Sequence, residues 1–412
     1  MLASEIEHQA QPLSGPLLPL LPPKALSLRL PPHGPARPPS PSPIASGWEC
    51  ETVVLPAAFP RSYPRSTKRP TEPRLNPAVD PSTGKRRDAE QALARLVAPQ
   101  VEAFKQPISI EDRAELEGQE QLVTVVNRYR PAAARRRKDG DEPGLTLVFS
   151  HANGFYREVW EPLLKTLLER MEVSGRSLPV DEVWAVDCIN QGDAGVLNEP
   201  VLGEVFNWAD HGRDLLNFIL SYGDAPASSP GLLNPAPDVP DHLKLLDNGP
   251  LLPTGPSVPS ARTYRSRLIV AIGHSLGGGA TAYAASALPS LFSSLVFVDP
   301  VLPDPTVSTR AMTRLTAGAL MRRETWKTRD EAREAFLIPP SLPAHFIWAD
   351  KGRSVVDEDN INWVLQKGIP HATASRVEGA GHLLVHEKPD DAAQRLLEFL
   401  EKTYPRQKKA RL

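Results

Sequence analysis

Gly273-His274-Ser275-Leu276-Gly277 carries the strongest chemical pattern in this 412-residue chain. It follows the apolar run Leu268-Ile269-Val270-Ala271-Ile272 and leads into Gly278-Gly279-Ala280-Thr281-Ala282. That order reads as strand, sharp turn, helix. A turn so tight strains the serine backbone, and glycines flank it because side chains there would clash. The serine oxygen is then lifted at the C-terminal edge of a sheet, over a helix N-terminus that favours developing negative charge. The matching chemistry is nucleophilic attack on a carbonyl. Such a serine needs a base. Gly379-Ala380-Gly381-His382-Leu383-Leu384 places His382 on a glycine-rich loop, where an imidazole can take a proton and return it. His386 is the fallback, read as loop or helix-start decoration. The imidazole in turn needs a carboxylate to fix its tautomer and to stabilise its charged form. Two candidates stand at strand ends: Asp299, 24 residues after Ser275, and Asp350. Backbone amides should hold the oxyanion, one at Leu276 and one in the loop from His151 to Gly154, at Asn153 or Ala152. Removing such a donor typically costs on the order of 3 kcal/mol of barrier.

These groups can meet only if the chain builds a sheet with its strand ends on one rim. Segments 49–55 and 122–129, rich in Val and Thr, read as antiparallel strands. Segment 144–150 is a continuous apolar run, as expected of a central strand covered on both faces. Further strands are predicted at 183–186, 267–272, 295–298, 345–349 and 374–377. Between them Leu163, Leu164, Leu167, Leu168 and Met171 recur at helical spacing, as do Leu215, Leu216, Phe218, Ile219 and Tyr222. Helices are also expected after Ser275, over 361–366, and along Ala393, Leu396, Leu397 and Leu400. Alternating strands and helices imply an α/β fold with a mainly parallel sheet covered by helices on both faces. Thr328 and Glu331 match a capping box within a mostly helical stretch, 301–343. Asp210 and His211 open an amphipathic helix, and a helix-start role is assigned to them. His151 is read as bonded to neighbouring loop backbone.

Composition limits the rest. Residues 1–46 are rich in Pro, Ser and Gly and cannot bury enough apolar surface to order themselves, so they are expected to be disordered. The domain is placed at 47–404, with 224–262 as a flexible insertion. The formal net charge of −2 points to no nucleic-acid partner. The run Arg135-Arg136-Arg137-Lys138 reads as a solvated loop. Cys50 and Cys188 stand far apart in no metal-ligand spacing, which argues against a disulfide framework or a zinc site. No apolar run reaches the roughly 18 residues of a membrane span. Acidic residues and prolines near the N-terminus argue against a secretory signal.

Within this frame the chain resembles the α/β-hydrolase superfamily over residues 48–404. Ser150-His151-Ala152-Asn153-Gly154-Phe155, Glu158-Val159-Trp160-Glu161-Pro162-Leu163 and Trp208-Ala209-Asp210-His211-Gly212-Arg213-Asp214-Leu215-Leu216 resemble a fungal branch of it. That branch holds peroxisomal acyl-CoA hydrolases of mycophenolic-acid biosynthesis and relatives from host-selective toxin pathways. The resemblance implies that the acid lies after the strand ending at Val298, which favours Asp299 over Asp350. It also implies an acyl thioester substrate and no metal or redox cofactor. One departure is the helical lid at 301–343, shorter than in the branch. It implies a truncated lid or a more open pocket.

Segment 405–412 reads as a basic tail whose Ala410-Arg411-Leu412 matches the Ser-Lys-Leu type of peroxisomal address, read by an import receptor. The expectation is a peroxisomal serine hydrolase, with a cytoplasmic location as the alternative. Arg322 and Arg323 could meet the phosphates of a CoA group, though as helix-surface residues they need no such role. A general carboxylesterase or lipase, and an inactive hydrolase fold that binds a ligand, are the competing readings. Epoxide hydrolase and dehalogenase chemistry is disfavoured, because it needs a carboxylate where Ser275 stands.

Overall fold

In this computed structural model the described residues are 17–18, 20–21, 23–24, 44–68, 108–109, 111–132, 143–203, 205–222, 244–245, 268–302 and 341–406. The basic run at 135–138, the Thr328 capping box, Arg322, Arg323, most of the lid and insertion, and the terminal tripeptide lie outside them.

Among the described residues nine strands form one sheet in the order β5-β1-β2-β4-β3-β6-β7-β8-β9. They are β1 (Trp48–Pro56), β2 (Val123–Pro131), β3 (Leu145–Ser150), β4 (Val180–Val186), β5 (Lys244–Leu245), β6 (Leu268–His274), β7 (Ser294–Val298), β8 (Ala344–Trp348) and β9 (Thr373–Arg376). β2 pairs antiparallel with both β1 and β4, and the run from β4 through β9 is parallel. The expected mainly parallel sheet is therefore present. β5 lies within the predicted insertion and pairs with Val53 and Val54 of β1.

Alternate side chains of the central strands supply two different cores. In β6, Ile269 and Ala271 face one, while Val270 and Ile272 face the other. This is why these strands read as unbroken apolar runs. The first core packs α4 (Trp208–Tyr222), α5 (Leu276–Ala287) and α6 (Glu358–Trp363) against the sheet. The second packs α2 (Glu161–Ser174) and α8 (Pro389–Thr403), with the short α7 (Leu384–Glu387) beside them. No helix among the described residues is long and apolar enough to cross a membrane.

Three of the described helices escaped sequence pattern: α1 (Arg113–Gly118), α3 (Gly192–Asn198) and the one-turn α7. α3 begins with Gly192 and contains Gly195, residues of poor helix propensity that hide its period. Tertiary bonds hold it instead: Arg157 binds Asp193 at 2.7 Å and Asp187 at 2.5 Å.

Some residues upstream of position 47 also pack on this sheet. Ile44 and Ala45 are buried in the second core. Within the Pro-rich N-terminal segment, Leu17 and Leu20 pack against the first core, Leu21 bridges Phe59, and Lys24 Nζ donates to the carbonyls of Leu116, Glu117 and Gln119 around the end of α1.

Candidate active site

The parallel register brings four strand ends to one rim. Ser150 sits beside Gly273, His274 beside Val298, and Val298 beside Ile347. Open α/β sheets present their chemistry at this carboxyl edge. Ser275 lies between β6 and α5 with φ 53° and ψ −113°, a conformation that non-glycine residues seldom adopt. The surroundings hold it there. Its N–H donates to the Val298 carbonyl at 3.1 Å, and its own carbonyl accepts from Gly279 and Val301. A Cβ at Gly273 would come within 2.4 Å of the Gly277 carbonyl, and one at Gly277 within 2.2 Å of the Ser150 carbonyl. The turn can therefore close only with glycine at both positions, as the sequence pattern predicted.

The serine, the histidine and one acid meet. Ser275 Oγ lies 2.9 Å from His382 Nε2, and His382 Nδ1 lies 2.5 Å from Asp299 Oδ2. Asp299 can only accept, so Nδ1 carries the proton and Nε2 presents its lone pair to the serine hydroxyl. Asp299 is fully buried, and its other oxygen accepts from the Ala349 N–H at 3.1 Å. Its backbone also lies at positive φ, 35°. Ser275 is 6% exposed, and the His382 side chain 19%.

The other candidates fall elsewhere. Asp350 accepts from the N–H groups of Gly379 and Lys351, which hold its carboxyl below its ordinary range, and its own N–H donates to the Ala380 carbonyl. It therefore ties down the glycine loop that carries His382. Glu387 does likewise, accepting from the Gly381 N–H at 2.7 Å. His386 lies in α7 with its ring against Phe155 at 4.4 Å.

The His151–Gly154 loop leaves β3 beside the serine turn, as the β3–β6 pairing requires. His151 is structural: Nδ1 bonds the Ala152 carbonyl and Nε2 accepts from the Cys188 N–H. Sequence reading missed Gln191. Its Oε1 accepts from the Gly154 N–H at 2.5 Å and its Nε2 donates to Asn153 Oδ1 at 3.1 Å. A glutamine in a loop carries no local signal of such a contact. Asp210 and His211 lie in the first turn of α4 as expected, but both are buried. Asp210 accepts from Ser62 and Arg213, while His211 Nε2 reaches Ser150 Oγ at 3.0 Å.

These buried rings give the fold a pH dependence. Burial pushes His151 and His274 down from 6.5 to about 3. Between those limits the unfolded chain binds protons that the folded chain refuses, so stability falls as pH drops below 6.5. Each ring can contribute at most about 1.4 kcal/mol per pH unit to that slope. His211 titrates in the opposite sense. Burial opposes its charge, but Cys188 and Asp214 outweigh it and raise it to about 10. It is charged in both states below 6.5 and leaves this window unaffected. The urea midpoint is expected to be lower at pH 5 than at pH 7; equal midpoints would mean that these rings gain protons without unfolding.

The chain is similar to several known proteins. A family model described as the alpha/beta hydrolase family matches residues 147–395. The peroxisomal membrane protein LPX1 of Saccharomyces cerevisiae is 29% identical over 171 residues, 42% of this chain and 34% of that protein. The type I acyl-CoA thioesterase mpaH of Penicillium brevicompactum is 26% identical over 223 residues, 53% of this chain and 40% of its own length. The chain thus spans less than half the length of these curated relatives. Among solved structures, the peroxisomal alpha-beta-hydrolase Lpx1 of S. cerevisiae aligns with a TM-score of 0.49 at 17% identity, over 89% of this chain and 93% of that one.

Proposed function

Since the chain belongs to the alpha/beta hydrolase family, we propose that this hydrolase uses Ser275, His382 and Asp299 as a catalytic triad to cleave an acyl thioester. The observation that carries the reading is the continuous bond path from serine through imidazole to carboxylate, at 2.9 and 2.5 Å.

In the mechanism Ser275 Oγ attacks the acyl carbonyl while His382 Nε2 takes its proton. Asp299, buried and fixed by the Ala349 N–H, stabilises the imidazolium that results. The oxyanion forms beside the turn, where the Leu276 amide and an amide of the 152–153 loop would receive it. Gln191 steadies that loop through Asn153 and Gly154. Collapse of the tetrahedral intermediate breaks the bond to the leaving group, which departs with the proton held by His382. A water, deprotonated by the same imidazole, then attacks the acyl-serine and frees the carboxylic acid.

The thioester assignment draws on the likeness to mpaH, named as a type I acyl-CoA thioesterase. A panel of acyl-CoA esters measured beside short p-nitrophenyl esters tests it. The kcat/KM is expected to be higher for at least one acyl-CoA than for any of the oxygen esters. The reverse order would make the protein a carboxylesterase.

A peroxisomal location is also proposed, from the likeness to the peroxisomal protein LPX1 and from the Ala410-Arg411-Leu412 tripeptide. A fluorescent fusion carrying the chain's C-terminus should be punctate with a peroxisomal marker. Deleting residues 410–412 should disperse it; unchanged puncta would discount the tripeptide.

A further inference from the structure

His274, the residue before the nucleophile, has a ring that the triad does not use. It is fully buried, and its Nε2 lies 2.8 Å from the backbone carbonyl of His382. A carbonyl can only accept, so Nε2 carries the hydrogen and Nδ1 is left as a bare lone pair. Among the described residues, Nδ1 is buried with no hydrogen-bond partner. Burying an unpaired acceptor costs stability that an aliphatic side chain in the same place would not incur. A ring kept for packing alone would not need that cost. Burial also holds the imidazole neutral down to about 3, so the donating tautomer persists wherever His382 works as a base.

We infer that His274 is a positioning residue, which locks the backbone of the general base to the turn that carries the nucleophile. His382 follows Gly379-Ala380-Gly381, a segment whose backbone has unusual freedom. Asp350 and Glu387 hold Gly379 and Gly381, upstream of it. The Asp299 bond fixes one ring atom, and downstream the Leu383 carbonyl accepts from His386 and Glu387, but neither bond is made to the carbonyl of residue 382 itself. The His274 bond fixes that carbonyl. Because His274 and Ser275 are adjacent in one rigid turn, any displacement of the serine carries the base with it. Small errors in such alignment are expensive in rate. The inference rests on the triad reading above.

The test compares Asn, Gln and Leu at position 274, using the best substrate of the panel. Active sites are titrated with a fluorophosphonate. A Gln side-chain nitrogen reaches the place of Nε2, whereas an Asn nitrogen reaches only that of Nδ1. His274→Gln should keep kcat per titrated site within about threefold of the parent, while His274→Asn and His274→Leu lose roughly tenfold or more, the scale of one hydrogen bond. KM should move little in all three. A merely structural role would lower the titrated fraction and the melting temperature, with Gln and Asn alike and kcat per site unchanged. Parental kcat in His274→Leu, or His274→Gln no better than His274→Leu, would overturn the inference. Should His274→Asn fail to fold, Gln against Leu decides it. Ser275→Ala is run alongside. Retained turnover there removes the triad reading, and the inference with it, whereas lost turnover with a flat 274 series removes the inference alone.

Discussion

Ser275→Ala is expected to reduce kcat on the order of a millionfold, to what binding and the oxyanion amides achieve without a nucleophile. The serine hydroxyl lies 2.9 Å from His382 Nε2, and alanine leaves no oxygen at that position to attack the carbonyl. The change should not unfold the protein. The strained backbone at φ 53° is held by bonds from the main chain of residues 275, 279, 298 and 301, none of which involves the side chain. The melting temperature should therefore be equal to that of the parent or slightly higher. Labelling by a fluorophosphonate should vanish together with turnover. A folded Ser275→Ala protein that still hydrolyses substrate at more than about a hundredth of the parent rate would remove the serine mechanism.

Asp299→Asn should cost about 10⁴-fold in kcat. The isosteric amide keeps the packing, but its N–H₂ can turn toward His382 Nδ1 and select the tautomer with Nε2–H facing the serine. An imidazole in that form cannot accept the hydroxyl proton. Asp350→Asn should change kcat by less than about threefold, because an amide oxygen can still accept from Gly379 and only loop anchorage is at stake. Parallel assays of the two variants at one pH provide the check. A larger loss at Asp350 would move the acid to that position.

Residue type and order were sufficient for the fold class, and they singled out Ser275 and His382 as the candidate nucleophile and base. An apolar run, Gly-His-Ser-Leu-Gly and a small-residue stretch admit few backbone solutions, since Cβ atoms at 273 and 277 would overlap backbone carbonyls. The two-sided burial of β3, β6 and β7 was legible for a related reason: strands covered on both faces lose their polar alternation. Choosing between Asp299 and Asp350 took more. Both follow strands at the same rim, and the family resemblance alone favoured Asp299. Only the packed structure shows that Asp299, not Asp350, lies against His382, because that reach depends on how β7 and β8 lie beside each other and which way each carboxylate leaves its strand. The roles of Gln191, His274 and His211 likewise depend on contacts between segments distant along the chain. Hydrogen bonds are directional and short, so their partners are set by how helices and loops dock, and a linear sequence carries no local trace of them.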